Sequence, residues 1–137
     1  MAKEVLLERI RRLEENIKEL SLFREKVKLE EVRADKIREW ALRYGLLETI
    51  QAVIDIACHL VSLNNLGSPA TYSECITLLE KNGYIDSNLT QRLVSMVGLR
   101  NLLIHEYATI DVEALYRCLS EIEDFVDFVH AIQPYIG

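Results

Sequence analysis

Apolar residues in the first part of the chain recur at steps of four and three: Leu6, Ile10, Leu13, Ile17 and Leu20. This is the spacing of a narrow helical seam. It predicts a helix over about residues 3–27, packed antiparallel along one edge and solvated elsewhere by Glu, Lys and Arg. From about 30 to 63 the pattern widens. Leu47, Ile54, Cys58 and Val61 form one apolar stripe, and Leu46, Ile50, Val53, Ala57 and Leu60 form another. A helix covered on more than one side belongs at the centre of a fold. Along it runs a polar line, Glu48, Gln51, Asp55, His59 and Ser62, whose three- and four-residue steps share one face. Asp55 and His59 are spaced to pair with each other.

The segment Asn64-Asn65-Leu66-Gly67-Ser68-Pro69 is the clearest break in the chain. Thr71 followed by Glu74 is a capping box that starts a short helix, and Asn82-Gly83 stops it. Asp86 or Ser87 caps the next helix, expected over about 88–104. Asp111 caps the last, with Leu115, Leu119, Ile122, Val126 and Val129 facing inward. No segment alternates with period two for long enough to be a strand. The expected fold is all-α: an antiparallel bundle of four main helices plus a short one, forming a single domain over residues 1–137.

Composition narrows the function. Half of the 137 residues are apolar and 28% are charged, which excludes a disordered chain. The net charge of −6 excludes the strongly basic signature of many nucleic-acid-binding domains. The charge is uneven, however. Residues 1–44 hold 12 of the 16 Lys and Arg and 10 of the 22 Asp and Glu. That basic excess can meet phosphate locally, although a mixed-charge solvated helix face explains it as well. Cys58, Cys75 and Cys118 are odd in number and widely spaced, and they read as reduced core residues of a cytoplasmic protein. No two histidines have metal-ligand spacing, so no metal site is expected. The most apolar stretch, residues 46–63, carries Glu48, Asp55 and His59 and does not read as a membrane span.

The chemistry concentrates where the fourth helix ends, in Gly98-Leu99-Arg100-Asn101-Leu102-Leu103-Ile104-His105-Glu106-Tyr107. On an unbroken helix Arg100 and His105 would lie about 140° apart. Convergence of Arg100, His105 and Tyr107 therefore requires the helix to end or bend near His105. Gly98 removes a side chain one turn earlier, where another backbone or a ligand could approach. Arg100 offers a permanently charged fork of donors to phosphate oxygens. An imidazole, with its ordinary pKa near about 6.5, can act as base or acid at neutral pH. Asn101 can hold a phosphate oxygen or orient the ring. Tyr107 can hydrogen-bond phosphate or stack on a base. Asp55 or Glu48 could orient His105 or Arg100 from the central helix, or could simply form a polar seam at an interface or a solvent-facing edge.

The pattern Arg-x4-His-x-Tyr resembles the motif of HEPN-domain proteins, and the string Arg-Asn-x-x-x-His-x-Tyr is similar to their HepT type, the toxin half of HEPN–MNT toxin–antitoxin modules. The resemblance extends to the Asp35 region, to Gln51 and Asp55-Ile56-Ala57-x-His59, to the Ser-Pro break and to Asp111. By chance, about 0.01 matches to the motif are expected in a chain of this composition. The resemblance implies a homodimeric, metal-independent endoribonuclease, the toxin of a type VII-like system, in which two motif copies meet in one composite site. Arg100 and His105 would be catalytic, supported by Asn101, Tyr107, Asp55 and Glu48. It also implies an MNT-type nucleotidyltransferase partner that silences the toxin by attaching AMP to Tyr107. Two other functions fit a helical bundle of this kind: a non-catalytic nucleotide- or partner-binding module, and a helical companion subunit of a nucleotidyltransferase.

Overall fold

The computed structural model describes residues 2–105 and 110–136, and among them all regular structure is helical. The helices are α1 (Ala2–Lys26), α2 (Leu29–Ala34), α3 (Lys36–Leu63), α4 (Tyr72–Lys81), α5 (Ser87–His105), α6 (Val112–Arg117) and α7 (Ile122–Ile132). Short 3-10 turns cover Cys118–Glu121 and Gln133–Tyr135. The long helices α1, α3, α5 and α7 make the bundle, with α4 as the short addition.

The central helix is α3, about 42 Å long at 1.5 Å per residue. It packs against α1, α4 and α5. Both stripes read from the sequence are covered: Leu46, Ile50, Val53, Ala57 and Leu60 are buried, as are Ile54 and Val61, while Leu47 and Cys58 are half-buried. Each fully buried Leu or Ile contributes about 1.5–3 kcal/mol relative to exposure. α1 lays Leu6, Ile10, Leu13 and Leu20 along this core, with Ile17 half-buried at its margin. α7 adds Phe125 and Phe128 from the opposite side. The buried carboxylate of Asp124 on α7 is met by Arg92 of α5, which removes the cost of burying an unpaired charge.

The structure departs from the sequence reading in three places. The stretch 29–63 is two helices, not one, because Asp35 is extended (φ −136°, ψ 107°) and its carboxylate accepts from the Ile37 N–H at 2.9 Å. Asp35 thus caps α3 and cuts off α2. Of the two caps read from the sequence for α5, Asp86 is the one used, accepting from the Leu89 N–H at 2.8 Å, which agrees with that reading. The last helix is divided by the 3-10 turn at Cys118–Glu121, and Asp111 stands before it without a side-chain capping bond. Gly83 does end the α4 segment as expected, with φ +80° and its N–H on the Glu80 carbonyl.

The third departure is chemical. Cys58 of α3 and Cys75 of α4 are joined as a disulfide, with Cα atoms 5.0 Å apart, and Cys118 is the free cysteine. The reading of three reduced cysteines is corrected here. The two sulfurs are 17 residues apart in sequence, and only the fold of the 64–71 loop, which sets α4 against α3, brings them together. Closing a loop of that length restricts the unfolded chain by about 3 kcal/mol. Reduction with dithiothreitol should therefore lower the urea unfolding midpoint. A midpoint indifferent to reductant would contradict the cross-link.

Candidate active site

Antiparallel packing of α5 on α3 brings Arg100 opposite Gln51. The Arg100 Nε donates to Gln51 Oε1 at 2.9 Å, and Gln51 Nε2 in turn donates to Asp55 Oδ1 at 2.9 Å. Arg100 Nη1 donates to Asn101 Oδ1 at 3.0 Å. The guanidinium carbon lies 5.0 Å from the centre of the Tyr72 ring, the first residue of α4. A cation over an aromatic face is held by the ring quadrupole. Arg100 is thus fixed from two helices at once. A guanidinium carries five N–H donors; two are engaged by Gln51 and Asn101, and Arg100 lines a groove of about 520 Å³ bounded by Tyr72, Val97, Asn101 and the Cys58–Cys75 pair.

The remaining residues singled out in the sequence are distributed as follows. His105 is the last described residue of α5, and its imidazole is exposed. Among the described residues no hydrogen bond or ion pair joins it to Arg100. Tyr107 lies outside the described residues. Asp55 reaches Arg100 through Gln51. Glu48 instead meets Arg12 of α1 at 3.5 Å and accepts from the Tyr44 hydroxyl, and that bond with the carboxylate charge raises the phenol's pKa. The expected Asp55–His59 pair does not form. His59 turns to α1, where Arg9 Nη1 donates to its Nδ1 at 3.2 Å. Burial, and then the Arg9 charge, lower the His59 pKa below the usual imidazole value, so the ring is neutral near pH 7 with its proton on Nε2. Gly98 makes no close approach: a Cβ there would meet nothing within 4 Å. Among the described residues no group of three His, Cys, Asp or Glu side chains is placed to hold a metal ion.

Two residues of the site escaped the sequence reading. Gln51 was visible as one member of a polar line and of the family resemblance, but not as the partner of Arg100. Tyr72 was visible only as the residue after a helix cap. The signal for Gln51 was its place on the face that an antiparallel α5 must cover. Tyr72 had none short of the tertiary fold.

Comparison with known proteins places this geometry. The family described as ribonuclease HepT-like matches residues 13–132, most of the chain. The protein belongs to the HepT-like ribonuclease family. Among HepT-like relatives, the mRNA nuclease HepT of Shewanella oneidensis is 33% identical over 90 residues, 65% of this chain and 68% of that protein. The tRNA nuclease HepT of Aphanizomenon flos-aquae is 32% identical over 93 residues, 66% of this chain and 63% of that protein. The matched region therefore spans about two thirds of each relative's length. A solved structure of the tri-AMPylated Shewanella oneidensis HEPN toxin in complex with MNT antitoxin superposes with a TM-score of 0.85 at 26% identity, covering 95% of this chain and 97% of that one. A toxin–antitoxin complex with AMP-PNP gives a TM-score of 0.86 at 25% identity, with 96% and 98% covered.

In this HepT-like chain several exposed apolar side chains lie beside the motif. Leu102 and Ile104 of α5 are about two-fifths exposed. Ile37, Trp40 and Tyr44, at helical spacing on the first turns of α3, are more than half exposed. Trp40 and Tyr44 border a hollow of about 200 Å³ that Leu103 of α5 closes, so the two sets adjoin.

Proposed function

We propose that this HepT-like chain is the toxin of a HEPN–MNT pair and an endoribonuclease that needs no metal, with residues 1–137 acting as one HEPN-like domain. The observation that carries the reading is the state of Arg100. It is anchored through Nε to Gln51, lies over the Tyr72 ring and lines an open groove, five residues before an exposed histidine. A guanidinium so held binds a phosphate with little loss of side-chain freedom. His105 then takes the proton from a ribose 2′-hydroxyl, which attacks the adjacent phosphorus. The phosphorane's extra negative charge falls on Arg100. The bond to the 5′-oxygen breaks, and that oxygen needs a proton in return. One imidazole cannot hold both roles in a single step, so the acid is the second copy of His105 in a homodimer. Asn101 steadies the guanidinium, and Asp55 steadies it through Gln51; Glu48 supports the site from the Arg12 side.

The dimer forms through the faces bearing α5, where Leu102, Ile104, Trp40 and Tyr44 offer the apolar and aromatic area that interface centres favour. Light scattering should give about twice the 15.8 kDa of one chain. Ile104→Asp should shift the mass to that of a monomer and remove RNA cleavage with it. A wild-type monomer at micromolar concentration, or a fully active monomeric variant, would sink the composite site. The partner is an MNT-type nucleotidyltransferase that silences the toxin through Tyr107; the Shewanella HEPN toxin, tri-AMPylated and in complex with MNT antitoxin, supports a partner and a modification of this kind.

A further inference from the structure

Tyr72 stands between two hollows. On one side is the groove of about 520 Å³ that holds Arg100 and Asn101. On the other is a hollow of about 410 Å³ bordered by Arg9, Asp55 and His59. Tyr72 lines both, and the residue is 42% exposed. We propose that the first of these hollows is a nucleobase subsite for the residue next to the phosphate on Arg100, with the Tyr72 ring as its stacking platform. The inference rests on the RNA-cleaving reading above and names where that RNA lies.

The chemistry of the walls matches a base more closely than a phosphate or a peptide. The floor is apolar, made of buried Val97 and the Cys58–Cys75 pair. The rim is polar. Asn101 spends its Oδ1 on Arg100, which leaves its amide N–H groups to donate. The Thr71 hydroxyl accepts from the Glu74 N–H, which leaves its proton to donate. A base has apolar faces and a hydrogen-bonding edge, and single-stranded RNA is gripped by stacking such faces on aromatic rings beside a cation that tracks the backbone. The guanidinium already over Tyr72 supplies that cation. A hollow of this volume falls within the about 300–1,000 Å³ of ordinary small-molecule sites.

The platform is also preorganised. The first turn of α4 is closed by Glu74, which accepts from the Ala70 N–H at 2.8 Å, and Cys75, one turn in, is bonded to α3. Tyr72 is therefore set against Arg100 before RNA arrives, and stacking on it loses little conformational freedom.

The test uses fluorescein-labelled single-stranded RNA and fluorescence anisotropy, in a His105→Ala background so that the RNA survives. Tyr72→Ala and Tyr72→Leu should each weaken binding about 5- to 150-fold, the effect of losing one stacked base. Tyr72→Phe, which keeps the ring, should bind as the parent does. A general loosening of Arg100 would weaken every RNA alike, so the deciding arm is an RNA abasic beside the cleavage position. The abasic change should weaken binding to the parent by a similar factor and add nothing further to Tyr72→Ala. Additive losses, or an unaltered Kd in Tyr72→Ala, would overturn the subsite. Cleavage by the wild type with no dependence on Tyr72 would do so while leaving the nuclease reading intact. Tyr72-dependent, base-dependent binding by a wild type that never cuts RNA would support the subsite and count against the nuclease reading alone.

Discussion

His105→Ala is expected to lower RNA cleavage by about 10²–10⁴, the usual cost of losing a positioned acid or base. In a composite site one substitution removes both imidazoles, so the base that activates the 2′-hydroxyl and the acid that protonates the leaving oxygen are lost together. The upper end of the range is the expected result. The fold should be unaffected, because the ring is exposed. Arg100→Ala should fall in the same range, since it removes the charge that meets the phosphorane. Arg100→Lys is the sharper variant. It keeps the positive charge but loses the Nε bond to Gln51 and the flat face over Tyr72, so it should recover little of the activity. Cleavage by His105→Ala at the wild-type rate, in a variant whose unfolding curve matches the parent, would remove His105 from the mechanism.

The second large effect concerns Tyr107. Incubation of the chain with its nucleotidyltransferase partner and ATP should raise the intact mass by one or more AMP units, with the adduct on Tyr107. Cleavage should fall with it. The phosphate of the adduct is an anion placed two residues from His105 in the same motif. There it can take the outer donors of Arg100 that otherwise bind substrate phosphate. The attached nucleotide also fills space that RNA must occupy. Tyr107→Phe should keep its mass in the same incubation and remain an active nuclease. Loss of activity without a gain of mass would mean that the partner silences by binding, and the role assigned to Tyr107 would be wrong.

Much of this was legible in the sequence because helical periodicity is a strong signal over long elements. The Leu6–Leu20 seam and the doubly covered α3 follow from spacing alone, and both are buried as the pattern requires. The motif was legible because Arg, His and Tyr are chemically distinctive and rarely fall in that spacing together. What the sequence hid depends on tertiary contact or on competition between local options. Asp35 looks like an ordinary polar position inside a helical pattern until its carboxylate is seen to close on Ile37. Asp55 and His59 have ideal spacing for each other, but each found a partner on the same face or on α1. The cysteine pairing required knowing that the 64–71 loop returns α4 to α3. Gly98 was read as a point of close approach, and the structure leaves the space around it open. Gln51 and Tyr72, the two residues that fix Arg100, belong to helices that only the folded bundle brings to α5.

The central claim is that this chain cuts RNA by attack of the 2′-hydroxyl, with proton transfer by histidine and no metal. Its most direct test is the chemistry of the product ends. Purified wild-type chain is incubated with a labelled single-stranded RNA in excess EDTA, and the fragments are identified by mass spectrometry. The account predicts fragments ending in 2′,3′-cyclic phosphate paired with fragments beginning in 5′-hydroxyl, and neither in a parallel reaction with His105→Ala. No cleavage in EDTA with cleavage restored by a divalent cation, or ends carrying 3′-hydroxyl and 5′-phosphate, would contradict it.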